Sequence, residues 1–396
     1  MQLSNILDRI SEPQTILMAK LSRELKAKDI NLVDLSLGEP DFRTPDYIIE
    51  AAKKAMDEGY TKYTPVAGFP ELRSAIALKL KRDNNLDYDP NQIMVSTGAK
   101  QVLANTILCL IEDGQEAIIP TPYWVTYSGQ VSLAQGKCVF IHCGIEEDFK
   151  LTAEKLEAAI TAKTRLFIFS SPCNPTGAVY SKKELKGLVD VFVKYPEITI
   201  ISDEIYEYIN YTGKHESIAQ FSEIKDRVVV VNGFSKGFSM TGWRLGYMAG
   251  NPEIIKACEK LQGQFTSGAN SIAQRAGITA LTGDMTPTYE MTKAFKERKD
   301  YFISALSEIP GLKINNPEGA FYAFPDISSF FGKSFEGNTI QNADDMTMYL
   351  LNTGHVTGVT GSAFGDDNCI RFSFAASMDS LKEAVVRISK ALGQLA

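Results

Sequence analysis

The 396-residue chain is 44% hydrophobic and 22% charged, with a formal net charge of −7. It is longer than one hydrophobic core usually supports, so two domains are expected. The acidic balance gives nucleic acid no basic face to bind, and no apolar run approaches the ~18 residues of a membrane helix.

The opening MQLSNILDRISEP lacks the apolar centre of a secretion signal. The six cysteines form no CxxC pair and the three histidines stand apart, so neither a metal site nor a redox motif is expected. These features fit a reducing cytoplasm, with no membrane or nucleic-acid partner.

In chain order, a short arm leads to a helix over residues 16–28, where Leu17, Leu21 and Leu25 recur at helical spacing. Residues 31–38 (NLVDLSLG) read as a strand broken at Gly38-Glu39-Pro40. Thr44 and Pro45 suit an N-cap and first helical position, for a helix that stops at Gly59. Residues 60–68 hold too many turn formers for a core element, and 70–83 is again helical. Residues 92–97 form a strand that opens through Gly98-Ala99-Lys100-Gln101 into a helix over 100–111.

Strand and helix then alternate. Strands are expected at 116–120, 137–143, 165–171, 198–202, 228–231 and 245–249, and helices at 124–135, 152–161 and 181–194. The strands are apolar throughout rather than alternating. That marks a mostly parallel sheet covered on both faces by helices. Helical regions follow at 252–282 and 287–306, and Pro310-Gly311 breaks the pattern. Beyond it, short strands within 311–327 and 355–374 and helices at 341–352 and 378–394 suggest a smaller α/β domain.

The stretch VVVVNGFSKGFSMTGWRLG, residues 228–246, concentrates the chemistry. A valine strand ends in a loop that delivers Lys236. Burial lowers the pKa of an amine, and a neutral amine can attack a carbonyl to form a Schiff base. The planar fork of Arg244, eight residues on, suits a phosphate dianion. Alternatively, both are solvated surface charges.

Ligands of open α/β sheets bind beyond the carboxyl ends of strands. Gly98, Ala99 and Lys100 open a helix at such an end, where free N–H groups favour phosphate. Trp124 can stack on an aromatic ring or fill core. Asn174, in SPCNPTG, is either a loop residue or a donor to a phenolic oxygen. Asp203, in SDEIY, is either part of a surface turn or a buried acid that needs a cation such as a protonated ring nitrogen. Tyr206 can reach the same phenolic oxygen as Asn174. Arg371, alone in the apolar CIRF, needs a carboxylate, from the protein or from a substrate.

These motifs, with SLGEPDF (36–42), YTPVAGFPELR (63–73), PYWVTY (122–127), GFSKGFSMTGWRLGY (233–247), EGAFYAFP (318–325) and GSAFG…IRFSFA (361–375), resemble the class I/II aminotransferases of fold type I, in their aspartate-aminotransferase-like branch. The resemblance covers nearly the whole chain. It implies a large domain over 46–285 with a mostly parallel seven-stranded sheet between helices, a small C-terminal domain over 286–396, and an N-terminal arm and segment, 1–45, packing on the latter. It implies pyridoxal 5'-phosphate (PLP) as cofactor, held covalently by Lys236, the proton-transfer base. Asp203 would pair with the ring nitrogen, Asn174 and Tyr206 with the ring oxygen, and Trp124 would stack on the ring. Gly98, Ala99, Lys100, Ser235 and Arg244 would surround the phosphate. Arg371 would clamp the substrate carboxylate, assisted by Asn174, with Trp124 and the Gly38 backbone also at the substrate. Tyr63 would reach the phosphate in a neighbouring subunit, which implies a homodimer with shared active sites.

The implied reaction moves an amino group from an L-amino acid, aspartate first, to a 2-oxo acid, 2-oxoglutarate first. Alanine, aromatic or kynurenine-type donors are alternatives, as is a PLP lyase. Glu12 stands ahead of Pro13 where some prephenate-accepting relatives have lysine, and its charge is expected to repel an acidic side chain.

Overall fold

Strands without a polar face must be covered on both sides, and that requirement builds the molecule. The computed structural model describes residues 4–12 and 14–396; Pro13 lies outside them. After helix α1 (Gln14–Lys26) and the short strand β1 (Val33–Asp34) come α2 (Asp46–Asp57) and α3 (Pro70–Asn84). Then β2 (Ile93–Ser96), β3 (Glu116–Thr121), β4 (Lys137–His142), β5 (Thr164–Ser170), β6 (Thr199–Asp203), β7 (Val228–Gly233) and β8 (Gly246–Ala249) form one sheet in the order β2-β8-β7-β6-β5-β3-β4. Five of its strands run parallel, β3 to β7, and β8 is antiparallel to both its neighbours.

The period-2 alternation of side chains splits each strand between two cores. Phe167, Phe169, Ile200, Val228 and Val230 point to one face, which carries α2, α3, α7 (Lys182–Phe192) and α9 (Ser271–Thr282). Leu166, Ile168, Ile201, Val229 and Val231 point to the other, beneath α4 (Ala99–Leu110), α5 (Thr126–Leu133) and α8 (Pro252–Phe265). The edge strand β4 is the exception: Lys137, Phe140 and His142 are exposed and the residues between them only partly buried. Fully burying a Val, Leu, Ile or Phe contributes about 1.5–3 kcal/mol, so these two clusters dominate the stability of the sheet.

A third core gathers α10 (Thr286–Ser307), α11 (Ala343–Tyr349) and α12 (Met378–Leu392) around the antiparallel strands β9 (Tyr322–Ala323), β13 (Val359–Thr360) and β14 (Ile370–Ser373). There β1 pairs in parallel with β12 (Val356–Thr357). Asp34, on β1, accepts hydrogen bonds from Ser36 and Thr357, and from Ser22 of α1. These contacts attach the N-terminal segment to this unit. Tyr206 and Ile209, which follow the sheet strand β6, pack in the same core.

Several expected boundaries move. The strand expected at 31–38 shortens to two residues, because beyond Asp34 the segment turns toward the site rather than along β12. The helix expected at 124–135 starts at Thr126, so Trp124 sits in the preceding turn. The helical region 252–282 is two helices, interrupted where Ser267 adopts a left-handed φ of 60° and Asn270 caps α9. Pro45 is the N-cap of α2 rather than its first residue. The Thr44 hydroxyl instead donates to Ser239 O and accepts from Trp243 Nε1, tying this corner to the Lys236 loop.

Candidate active site

The register sets the site. Ser170 at the end of β5 pairs with Asp203 at the end of β6, and Asp203 with Val231 near the end of β7. Three strand ends thus reach one sheet edge together, and the loops beyond them carry Asn174, Tyr206 and Lys236. A cavity of about 410 Å³ opens there. Of the residues expected in a site, Gly38, Ala99, Lys100, Trp124, Asn174, Asp203, Tyr206, Ser235, Lys236, Arg244 and Arg371 all line it. Tyr63 does not; it is 96% exposed, in a surface groove with residues 266–271.

Burial governs the lysine. Desolvation, reinforced by the nearby Arg371 and Arg244 cations, brings Lys236 from 10.5 down to about 8, against the pull of Glu39 and Asp203. Its Nζ donates to Gly38 O and lies 5.6 Å from the centre of the Tyr206 ring. Asp203 is only 3% exposed. Desolvation raises its carboxyl to about 6, and the neighbouring Glu204 anion adds to this. Its Oδ2 accepts from Tyr127 Oη at 2.8 Å and Oδ1 from the Ile205 N–H at 3.3 Å, and among the described residues no cation pairs with it.

Behind it, Glu204 is held by Ser202, Ser217 and the His215 Nε2 at 2.9 Å. Glu204, Glu207 and His215 bring their ligand atoms within 4.8 Å of one another. The fully buried Lys79 ammonium bonds Glu207 there.

Arg371 has no protein carboxylate among the described residues. Its Nη1 donates to Asn174 Oδ1 at 3.0 Å and Nη2 to Ser36 O at 2.8 Å, while Nε is buried without a partner. Of the two sequence readings, the buried ion pair with a protein acid is therefore not formed here. Because Asn174 spends its oxygen on Arg371, its amide nitrogen remains a donor toward the cavity.

Gly98, expected at the site, does not itself line the cavity but precedes the lining residue Ala99; it holds φ 80° as the N-cap of α4, and a Cβ there would stand 2.5 Å from Arg244 Nη2. Only glycine lets the guanidinium lie against the start of the helix. Arg244, itself left-handed at φ 53°, is steadied by Thr241 O at 2.8 Å. The helix N-terminus, Ser235 and Arg244 together make an anion cradle.

Sequence reasoning missed Tyr127, Tyr322, Ser36, Glu39, Thr15 and Thr241, all of which line the cavity. Tyr127 carried a signal, three residues after Trp124 in PYWVTY, and so did Thr241, three residues before the Arg244 that donates to its carbonyl, whereas Tyr322 is distant in sequence from the Tyr206 it bonds. Glu12 is exposed and stands outside the lining.

The sequence pattern of the class I and II aminotransferases matches residues 30–388. The chain belongs to this family. It is 46% identical over 397 residues to the bifunctional aspartate aminotransferase and glutamate/aspartate-prephenate aminotransferase of Petunia hybrida, covering 98% of this chain and 82% of that one. It is 45% identical to a probable aspartate/prephenate aminotransferase of Rickettsia bellii, with 99% of each covered. Among solved structures, the aspartate aminotransferase of Rhizobium meliloti superimposes with a TM-score of 0.97 at 41% identity over 100% of both chains. That of Thermus thermophilus with maleate gives 0.93 at 36% identity, over 99% of this chain and 100% of that one.

This aminotransferase is therefore PLP-dependent and of fold type I, and its residues fit the cofactor. Among the described residues no cation pairs with the buried Asp203, Arg244 lies against the start of α4 as part of an anion cradle, and Lys236, of lowered pKa, lines the same cavity.

Proposed function

We propose that this aminotransferase takes its amino group from L-aspartate and passes it to 2-oxoglutarate. Its close relatives bear aspartate in their names. The cavity supports the same substrate class: four basic side chains, Lys100, Lys236, Arg244 and Arg371, face only Glu39 and Asp203 as acids. That excess suits a cofactor phosphate together with a dicarboxylate. The observation that carries the reading is the buried Arg371 fork, in which Nη1 and Nη2 each donate once within the protein and Nε is left for a carboxylate.

PLP, when bound, supplies the electron sink for the pair left by Cα–H cleavage. Each residue then has a task that its surroundings support. Lys236, poorly solvated, holds the cofactor and later moves the Cα proton as a neutral amine. Asp203 is costly to keep charged alone, and holds a proton on the ring nitrogen by pairing with it. Asn174 and Tyr206 would donate to the ring oxygen, and Trp124 would cover the ring. Gly98, Ala99, Lys100, Ser235 and Arg244 receive the phosphate. Arg371 orients the substrate through its α-carboxylate, with Asn174 and the Gly38 backbone beside it.

The same reading extends to assembly. The exposed Tyr63 fits a task in a second subunit, so a homodimer with shared sites is proposed, working in amino-acid biosynthesis in the cytoplasm. The large domain would span 46–285 and the small one 286–396, with 1–45 packed on the latter.

The PLP-loaded protein should be titrated with single amino acids while its visible absorbance is followed. Aspartate or glutamate should bleach the visible band and 2-oxoglutarate should restore it. Response to alanine or phenylalanine alone would refute the dicarboxylate assignment. Loss of the band with release of ammonia, and no need for an oxo acid, would indicate a lyase. Prephenate belongs in the same assay as a second acceptor, since relatives carry it in their names.

A further inference from the structure

Tyr322 stands where three proposed functional groups meet. It is fully buried on β9, where it pairs with Ser373 of β14. Arg371 is two residues before Ser373 on that strand, hence on the same face and diagonal to Tyr322. The Arg371 guanidinium lies 4.5 Å from the centre of the Tyr322 ring, close enough for a desolvated cation–π contact. The Tyr322 hydroxyl is 2.7 Å from that of Tyr206. It also presses on Gly38, where a Cβ would lie 2.8 Å from it, and the Gly38 carbonyl accepts from Lys236.

Two hydroxyls in contact place one proton between them. If Tyr206 donated it, Tyr206 would offer the cavity only lone pairs. If Tyr322 donates, Tyr206 keeps its own proton for an acceptor in the cavity, and accepting a hydrogen bond makes it a stronger donor. No other partner of the Tyr322 hydroxyl competes among the described residues.

We propose that Tyr322 is a positioning residue for this reaction: its hydroxyl donates to Tyr206 and so reserves the Tyr206 proton for the phenolic oxygen of the cofactor, while its ring seats the Arg371 guanidinium. One side chain thereby couples the carboxylate clamp to the cofactor contact. The inference rests on the assignment of Tyr206 to that oxygen.

The test is an absorbance titration with pH of the PLP-loaded protein. A strong donor to the phenolic oxygen favours its anion, and loosens the proton that this oxygen shares with the Lys236 nitrogen. Weakening the donor should therefore raise the titration midpoint. Tyr322→Phe keeps the ring and should raise it by about half to one pH unit, a three- to ten-fold change, with KM for aspartate within about two-fold. Tyr206→Phe should raise it further, and adding Tyr322→Phe to Tyr206→Phe should add nothing. Tyr322→Leu, which removes the ring, should also raise KM for aspartate at least five-fold.

An unshifted midpoint in Tyr322→Phe, beside a shifted Tyr206→Phe, overturns this inference alone. An unshifted Tyr206→Phe overturns the Tyr206 assignment and the inference with it. An unchanged KM in Tyr322→Leu overturns the seating of Arg371.

Discussion

Replacing Lys236 with methionine tests the electrostatic account of the site without any substrate. In the cofactor-free chain, burial and two neighbouring guanidinium groups bring Lys236 from 10.5 to about 8. One pH unit is worth about 1.4 kcal/mol, so holding the ammonium in the folded chain costs roughly 3 kcal/mol below pH 8. Methionine removes that cost and also the hydrogen bond to Gly38 O, worth about 1 kcal/mol. The variant should therefore be more stable than the parent at pH 7 by roughly 2 kcal/mol. At about 2 cal/mol/K per residue, that is a rise of 2–3 °C in Tm for a chain this long.

The pH dependence carries the sign. Between pH 8 and 10.5 the unfolded lysine keeps its proton while the folded one releases it, so the stability of the parent rises with pH relative to the variant. The advantage of the variant should shrink across that window and be gone above pH 10.5. Melting both cofactor-free proteins at equal concentration from pH 7 to 10.5 measures it. A gap that is absent at pH 7, or that stays constant with pH, would refute the reasoning.

Arg371→Lys loses the fork and leaves Asn174 and Ser36 O short of a donor. With charge-assisted bonds worth about 1.5–3 kcal/mol each, kcat/KM for aspartate should fall about 100-fold or more while PLP affinity holds; steady-state kinetics and a cofactor titration check this. Asp203→Asn removes the anion expected to pair with the ring nitrogen. Losing one partner of a buried pair costs about 3–5 kcal/mol, so single-turnover rates should drop by roughly two to four orders of magnitude. Lys79→Met leaves the buried Glu207 without its ammonium partner, with Asn84 at 3.0 Å as the other hydrogen-bond donor to its carboxylate among the described residues. It should destabilise by about 3–5 kcal/mol, a Tm lower by about 4–6 °C, seen in a thermal melt.

Much of the architecture could be read in the chain because its signals are local. The valine run 228–231, the RLFIF strand and QIMVS need no partner to declare themselves buried strands, and all three lie in the sheet. The glycine after QIMVST and the lysine after VVVVNGFS mark strand ends by chain chemistry alone, and Ala99, Lys100 and Lys236 line one cavity there. Element ends were less legible. Whether 31–38 continues as a strand depends on β12, more than three hundred residues away, and propensity cannot see that partner.

The residue types of the site were thus fixed by sequence, since each motif sits at a strand end whatever its neighbours do. Their mutual arrangement was not. That, among the described residues, Asp203 has a tyrosine and no paired cation, that Arg371 bonds an amide and a carbonyl rather than an acid, and that Tyr322 joins Tyr206 to Arg371 are facts of strand register and loop packing. The hydrogen bonds among them bring together residues 76 to 335 positions apart. Distances of that kind exist only after the sheet has closed, because burial, which sets the pKa of Lys236 and leaves Nε of Arg371 unpaired, belongs to the packed fold and not to any segment of it.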